Sequence, residues 1–560
     1  MSFLVPLHFL PWTSWHSEML VFAGAVLTCG LLLLDGLRKR STQHAVELPG
    51  SSLLVALIPA LALLQWFAGM FPFGGDVLVA CFYATLCICC LALGYAKPVA
   101  QTMPVSVAAN ALTPCAGLAC IFLIAGMCSV VIAWVQLLDI WNSADWIARG
   151  FDLRRPGGNL GQPNHLALLF GLAVVSVLYL RCIFQSIGTV IWLAAIVLLG
   201  SGIALTESRA GIGAVLASLA WISFKKHDSK QINTASAHQR RFGIAVTVLV
   251  VGLFFSIPQT YGVLLNDFTG SERLLTSQMR LAVWPQLMQA ILIKPWLGWG
   301  VLQVAPAHNA VADVYAVSQA FSYSHTVFLD LVIWFGVPLA LLMVSYLAYW
   351  FWSRYAKAKT DEAIFASSVL LIVAIGSAVE FSYSYAYFLA PALFCVGVLE
   401  RVSGKKACLS VGMKTSFAFL ILWGGLMVWS AAEYLALEED IRIARFQVSR
   451  IGSTPQGYQP PTTVLLTQLS AIANNSRIKL MPNMPPAQLT ALKNTALRYP
   501  WIATQSRYAL ALAINGNLTE GRRQLQVMRA HHGKVLFLRV VDELNVQLQE
   551  MKLTHRFSAD

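Results

Sequence analysis

Long apolar runs recur along the chain, separated by short polar stretches. A helix needs roughly 17–25 apolar residues to cross a bilayer. About twelve runs qualify, beginning near Glu18, Ser52, Asp76, Ala116, His165, Ile187, Ala210, Phe242, Thr326, Ala363, Tyr385 and Lys414. The alternation is interrupted twice. Residues 262–325, between the eighth and ninth runs, are too long for a simple connector, since loops beyond roughly 15 residues tend to be functional or disordered. This one carries Trp284, Trp296, Trp299, Tyr315, Phe321 and Tyr323, so it has surface to bury. Within it Leu281, Trp284, Leu287, Met288 and Ile291 recur at helical spacing, which predicts an amphipathic helix lying on a membrane. Residues 433–560 contain no span. Their stretch WIATQSRYALALAINGNLTEGRRQLQVMRAHHG reads as helix, Gly-Asn turn, helix, similar to one tetratricopeptide hairpin. The expectation is an all-α polytopic membrane protein, with a transmembrane domain at 1–432 and a soluble helical domain at 433–560.

Composition agrees. Charged residues make up 12% and mean hydropathy is +0.64, whereas a soluble domain carries about 25% charged residues. Met1–Trp15 is apolar but lacks the basic start and small-residue site of a cleavable signal peptide. The net charge of +13 would suggest nucleic acid in a soluble protein. Here its distribution matters more. With the first span running inward, inner loops hold 17 Arg and Lys against 4 in the short outer loops. The positive-inside rule then places 262–325 and the tail outside the cytoplasm, which for a bacterial inner membrane is the periplasm. No nucleic-acid partner is implied, and the basic loop 224–242 reads as a topology anchor. The eleven cysteines fall almost entirely in or beside spans. They suggest neither a disulfide framework nor a metal site with histidine, and no cofactor is called for.

Candidate chemistry lies at the outer ends of the spans. Arg280 and His325 in the long loop are suited to binding an anion and moving a proton. The loop's other late histidine, His308, lies between Pro and Ala residues and is expected to be solvated or a local turn partner. The turn GNLGQPNH places Gln162, Asn164 and His165 at the mouth of the fifth span, either as interfacial caps or as ligand-binding groups. In TESRAG, Glu207 either neutralises Arg209 or leaves it to bind an anion. An aromatic belt explains Tyr383 in EFSYSYAYF, but Glu380 at a span end calls for a partner.

These segments carry a resemblance. GNLGQPNHLA, ESRAG, MRLAVWPQLMQAILIKPWLGWG, SYSHTVFLDLVIWFG and EFSYSYAYFLAP, in that order and followed by the helical tail, resemble the bacterial O-antigen ligase and polymerase superfamily. Within it the chain looks most like the PglL-type protein O-oligosaccharyltransferases. The resemblance implies a GT-C-type membrane fold with a periplasmic site. It also implies transfer of a whole oligosaccharide from undecaprenyl diphosphate to Ser or Thr of a periplasmic or pilin protein. By motif match His325 stands at the family's essential histidine, Arg209 and Arg280 at its arginines and Gln162 at its loop glutamine. Tyr385 and Tyr387 fit its tyrosine pattern best. The chain departs from the family in having Thr326 after the histidine and EFS where EYP is common.

The chemistry needs such residues. A serine hydroxyl needs a general base, which contributes about 10²–10⁴-fold, and a departing lipid diphosphate needs fixed positive charge. The outer loops have no D-x-D pair, and two arginines can serve through bidentate contacts. The resemblance implies metal independence, and direct attack would invert the anomeric centre. A ligase acting on lipid A-core or a polysaccharide polymerase would share the histidine and arginines but usually lacks the tail. A transporter would place ionisable groups at mid-membrane, where Asp330 is the main exception to nearly charge-free spans. A scaffold would leave Arg280 and His325 without a role.

Overall fold

The computed structural model describes residues 2–6, 11–38, 45–96, 113–140, 146–148, 155–225, 233–264, 272–315, 318–448 and 457–558, without side chains at 233–240, 258–264 and 272–281. Lys97, Arg149, Arg154, Lys230, the centre of the basic loop and residues 265–271 at the start of the long outer loop lie outside the described residues.

The described chain is helical apart from one short ribbon, Ala45–Leu48 paired antiparallel with Leu409–Gly412. Among the described residues seven helices are long and apolar enough to cross a membrane: α1 (Trp15–Arg38), α3 (Gly74–Tyr95), α4 (Pro114–Leu138), α5 (Pro163–Ile183), α6 (Thr189–Thr206), α13 (Asp361–Val379) and α15 (Met413–Val448, apolar up to Gln447). Expected spans at Ser52 and Ala210 coincide with the shorter apolar helices α2 (Ser51–Phe67) and α7 (Arg209–Phe224). The protein is an all-helical polytopic membrane protein. The chain divides into two compact units.

The first unit comprises residues 1–57, 83–268 and 347–424. Helix α5 is its hub, packed by α4, α6, α7 and α13. Leu166, Ala167, Leu169 and Phe170 are fully buried there. A helix apolar on every side has to be enclosed, and this one is. Two ion pairs, Arg354–Glu400 and Arg401–Glu362, both at 3.0 Å, tie α12 (Val337–Tyr355), α13 and α14 (Ala386–Val402). Lys225, expected only to anchor topology, donates to the Tyr355 carbonyl at 2.9 Å and lies 4.1 Å from the Trp221 ring centre. That carbonyl also accepts from the Ala358 N–H at 3.3 Å, so the lysine takes its second lone pair.

The second unit comprises residues 58–82, 269–346 and 425–560. Its loop helix α9 (Glu272–Ile293) buries Val283, Gln286, Leu287, Ala290 and Ile291, while Met288 is exposed. The inward face is therefore rotated from the predicted stripe, because the polar Gln286 has a partner inside. The ninth apolar run is not one span. It breaks into α11 (Val327–Phe335) and α12 at Gly336, with φ +79°, where a Cβ would lie 2.2 Å from the Trp296 carbonyl oxygen. Only glycine fits a positive φ against a neighbouring backbone. The tail forms α16 (Thr467–Arg477), α17 (Pro486–Arg498), α18 (Ile502–Ile514), α19 (Leu518–His532) and α20 (Lys534–Glu550), with the turn between α18 and α19 at Gly516 and Asn517. Glu433 on α15 accepts the backbone N–H groups of Val464, Leu465 and Leu466 just before α16, where a helix start favours negative charge. Helix α10 (Val304–Asn309) packs on α17, and 312–314 on α19. The Ser318 N–H donates to the Ala530 carbonyl at 2.9 Å, so loop and tail form one body.

Candidate functional site

The sequence-predicted residues fall in both units. In the first, Gln162 is the N-cap of α5 with Pro163 behind it. Pro is favoured at a helix start because its missing N–H costs nothing there. The next residue, Asn164, donates from Nδ2 to Glu380 Oε1 at 2.5 Å. Glu380, only 1% exposed, ends α13. This supplies the partner that the acid required. His165 is fully buried, with its ring 4.9 Å from Tyr385, 5.2 Å from Phe381 and 5.7 Å from Phe388. It is a packed residue and not an interfacial cap. Tyr385 is half-buried and stacks on Tyr387 at 5.1 Å. Tyr387 is enclosed, its ring 5.3 Å from Phe3.

Glu207 ends α6 at φ +48°, Ser208 caps α7 by accepting from Gly211 N at 3.0 Å, and Arg209 follows, exposed. A Cβ on Gly211 would lie 2.3 Å from the Ala167 Cβ. The start of α7 therefore abuts the first turn of α5, and Arg209 sits at the same end as Gln162, Asn164 and Glu380. Sequence reading gave no role to four residues here. Arg155 donates from Nε to the Thr206 carbonyl at 3.0 Å, placing a second cation at the α6–α7 junction. Tyr83 donates to the Ser384 carbonyl at 3.0 Å and also bonds Glu18, which bonds Ser14. Those bonds fix the turn that carries Tyr385.

In the second unit, His325 lies in the turn before α11 at φ +63°. That left-handed conformation is uncommon for any residue but glycine, and histidine is among the side chains that do adopt it. Its surroundings hold it there. The Ser324 N–H donates to Asp330 Oδ1 at 2.8 Å, the Ser324 hydroxyl to the Thr326 carbonyl at 2.8 Å, and the Trp284 indole to the Ser324 carbonyl at 2.9 Å. The His325 ring lies 4.8 Å from Phe321 and is half-buried, so it is braced and still reachable. Arg280 precedes Trp284 by one helical turn on α9, and its side chain lies outside the described residues. Asp330 is fully buried and unites the turn with the helix. In the sequence it was only a charge in an apolar run.

His308 is not solvated. It is 1% exposed, with Nε2 2.9 Å from Gln286 Oε1 and 3.0 Å from Ser318 Oγ, and its ring lies 4.9 Å from His531. Burial pushes its pKa down to about 4, and that of His531 to about 2, helped by the charges of His308 and His532.

Two family models and two curated proteins match the chain. Residues 194–344 match the O-Antigen ligase family, and residues 364–546 match the family described as virulence factor membrane-bound polymerase, C-terminal. A General O-oligosaccharyltransferase of Acinetobacter baylyi is 24% identical over 98% of this chain and 94% of its own length. The chain is similar to the O-antigen ligase family and, along nearly its whole length, to a PglL-type O-oligosaccharyltransferase. It is therefore a glycosyltransferase. A ComP-specific O-oligosaccharyltransferase of the same organism is 25% identical over 52% of each chain. No solved structure matches. The O-Antigen ligase match takes in Arg209, Arg280 and His325, and the second match takes in Glu380, Tyr385 and Tyr387.

Proposed function

We propose that this enzyme, in the bacterial inner membrane, transfers an oligosaccharide en bloc from undecaprenyl diphosphate to Ser or Thr hydroxyls of periplasmic or pilin proteins, at a site facing the periplasm. The observation that carries the reading is His325, braced in a strained turn yet reachable, in a chain alike along its whole length to an O-oligosaccharyltransferase. Strain of this kind persists where surrounding structure over-determines it, commonly at active sites.

The acceptor oxygen attacks the anomeric carbon while its proton passes to the His325 ring. The bond from that carbon to the diphosphate oxygen breaks, and the electron pair leaves on the lipid diphosphate. Arg209 and Arg280 bind the charge that develops there. Asn164 and Gln162 meet the donor at the mouth of α5, with Glu380 orienting Asn164. Tyr385, the half-buried tyrosine, faces the donor, and Tyr387 supports it from behind. The anomeric centre inverts, and no metal takes part.

Purified protein with lipid-linked donor and acceptor protein tests this. His325→Ala should lose about 10²–10⁴-fold in transfer and still bind donor, and EDTA should leave the wild type active. Normal transfer by His325→Ala would refute the base. The O-Antigen ligase match favours one alternative, a lipid A-core acceptor. Transfer to that acceptor and not to protein would establish it.

A further inference from the structure

The second unit contains a cleft of about 820 Å³ with no role in the steps above. It is lined by the turn from α2 to α3, by the end of α9 and the start of α10, and by α17 to α19. We propose that this cleft binds the saccharide chain of the donor. The proposal rests on the donor being a lipid-linked oligosaccharide, as read above, and names where its glycan lies.

A saccharide presents flat CH faces edged by hydroxyls, so its site needs aromatic plates and closely spaced donors and acceptors. The cleft has both. Trp66 and Trp299 line it. The Trp299 indole is fixed by its bond to the Ala290 carbonyl at 2.8 Å, and the Trp66 ring rests over Gly74, where a Cβ would lie only 3.2 Å away. The polar groups are equally fixed. Arg498 gives Nε and Nη2 to Asp76 at 3.1 and 2.9 Å, and Asp76 also accepts from Gln303 Nε2 at 3.0 Å. That leaves Nη1 of a charge-compensated arginine to donate to a neutral hydroxyl. Asn494 adds an amide with donor and acceptor together. Lys294, 4.3 Å from the Trp299 ring centre, and Lys493 add positive charge that would favour an acidic sugar. The volume lies in the upper part of the roughly 300–1,000 Å³ typical of ligand sites, and several linked sugars fit better than one. A peptide fits less well. Peptides are commonly taken by a strand edge or a continuous apolar groove. These walls are helices and tight turns, and their aromatic plates are separated by amides and ion pairs.

Full-length protein in nanodiscs is assayed with undecaprenyl diphosphate bearing a tetrasaccharide and with the same lipid bearing a single sugar. Trp66→Ala and Asn494→Ala should each raise KM for the tetrasaccharide donor about tenfold, raise it less for the single-sugar donor, and change kcat little. Trp66→Phe, which keeps a flat ring, should recover most of the loss. Equal effects on both donors, a change only in acceptor KM, or no change overturns the proposal. If the wild type fails to transfer to protein at all, saturation-transfer NMR with the free tetrasaccharide decides separately. Binding by the wild type that Trp66→Ala loses supports the cleft, and absence of binding overturns it.

Discussion

Acid should detach the long loop from the tail, because both are joined across two buried histidines. His308 and His531 stack at 4.9 Å, and among the described residues the His531 nitrogens and His308 Nδ1 have no hydrogen-bond partner. The groups facing them are Gln286, Ser318 and His532, and none can compensate a positive charge. Burial therefore holds both rings neutral, at about 4 and about 2 against an ordinary 6.5. Because the docked pKa values lie below the undocked ones, the undocked state binds more protons between them. Docking is then at full strength above the ordinary histidine pKa and weakens as pH falls through it. At one unit below, each ring costs about 1.4 kcal/mol, or roughly 3 kcal/mol for the pair. That is about a hundredfold rise in the open fraction. Hydrogen exchange over 304–315 and 518–532, compared at pH 7.5 and 5.5 and corrected for intrinsic rates, measures it. His531→Leu should remove about half of the pH dependence. Identical protection at both pH values, or an unaltered slope in His531→Leu, would refute the reasoning.

Three further outcomes follow from the geometry. Asp330→Ala removes the acceptor that sets the His325 turn, so kcat should fall about 10²-fold, as for a misplacement of about 1 Å; Asp330→Asn, which keeps an acceptor oxygen, should recover most of it in the same transfer assay. Asp76→Ala leaves the partly buried Arg498 without its counter-charge and should cost up to about 3 kcal/mol, read as earlier thermal unfolding and proteolysis of the tail. Arg209→Ala and Arg280→Ala should each lower transfer about 10²–10³-fold, by analogy with a lost oxyanion donor, with lysine rescuing only part because it lacks the planar fork.

What the sequence made legible follows from what repeats in it. Apolar runs of span length repeat, so the helical membrane architecture could be read from spacing alone. The pair α18–α19 announced itself through Gly516 and Asn517. Single polar residues whose partners lie far along the chain were not legible. Glu380 called for a partner, but nothing local named Asn164, 216 positions away. His308 looked solvated because its neighbours are small. Its contacts come from Gln286, Ser318 and His531, which only the folded loop and tail bring together. The face of α9 was misjudged for the same reason. A hydrophobic stripe assigns Gln286 to water, but here it is buried because His308 and Ser318 satisfy its carbonyl.

His325 shows where a motif stops informing. From its place before an apolar run, the helix should set its height. The helix begins at Val327 and runs only nine residues before Gly336 ends it. A helix that short is marginal by itself and cannot position a side chain two residues outside it. The turn does so. Ser324 is held by Asp330 from the helix and by Trp284 from α9, and the residue between Ser324 and Thr326 is left at positive φ. Asp330 is thus the residue that gives α11 its relation to the histidine, which accounts for a buried carboxylate in an otherwise apolar run. It also makes the departure at Thr326 tolerable. Thr326 lends this turn its backbone: its carbonyl accepts from the Ser324 hydroxyl, and its N–H donates to the same oxygen at 3.3 Å. Any residue with an N–H can do that, so asparagine or threonine at this position should leave the histidine equally placed.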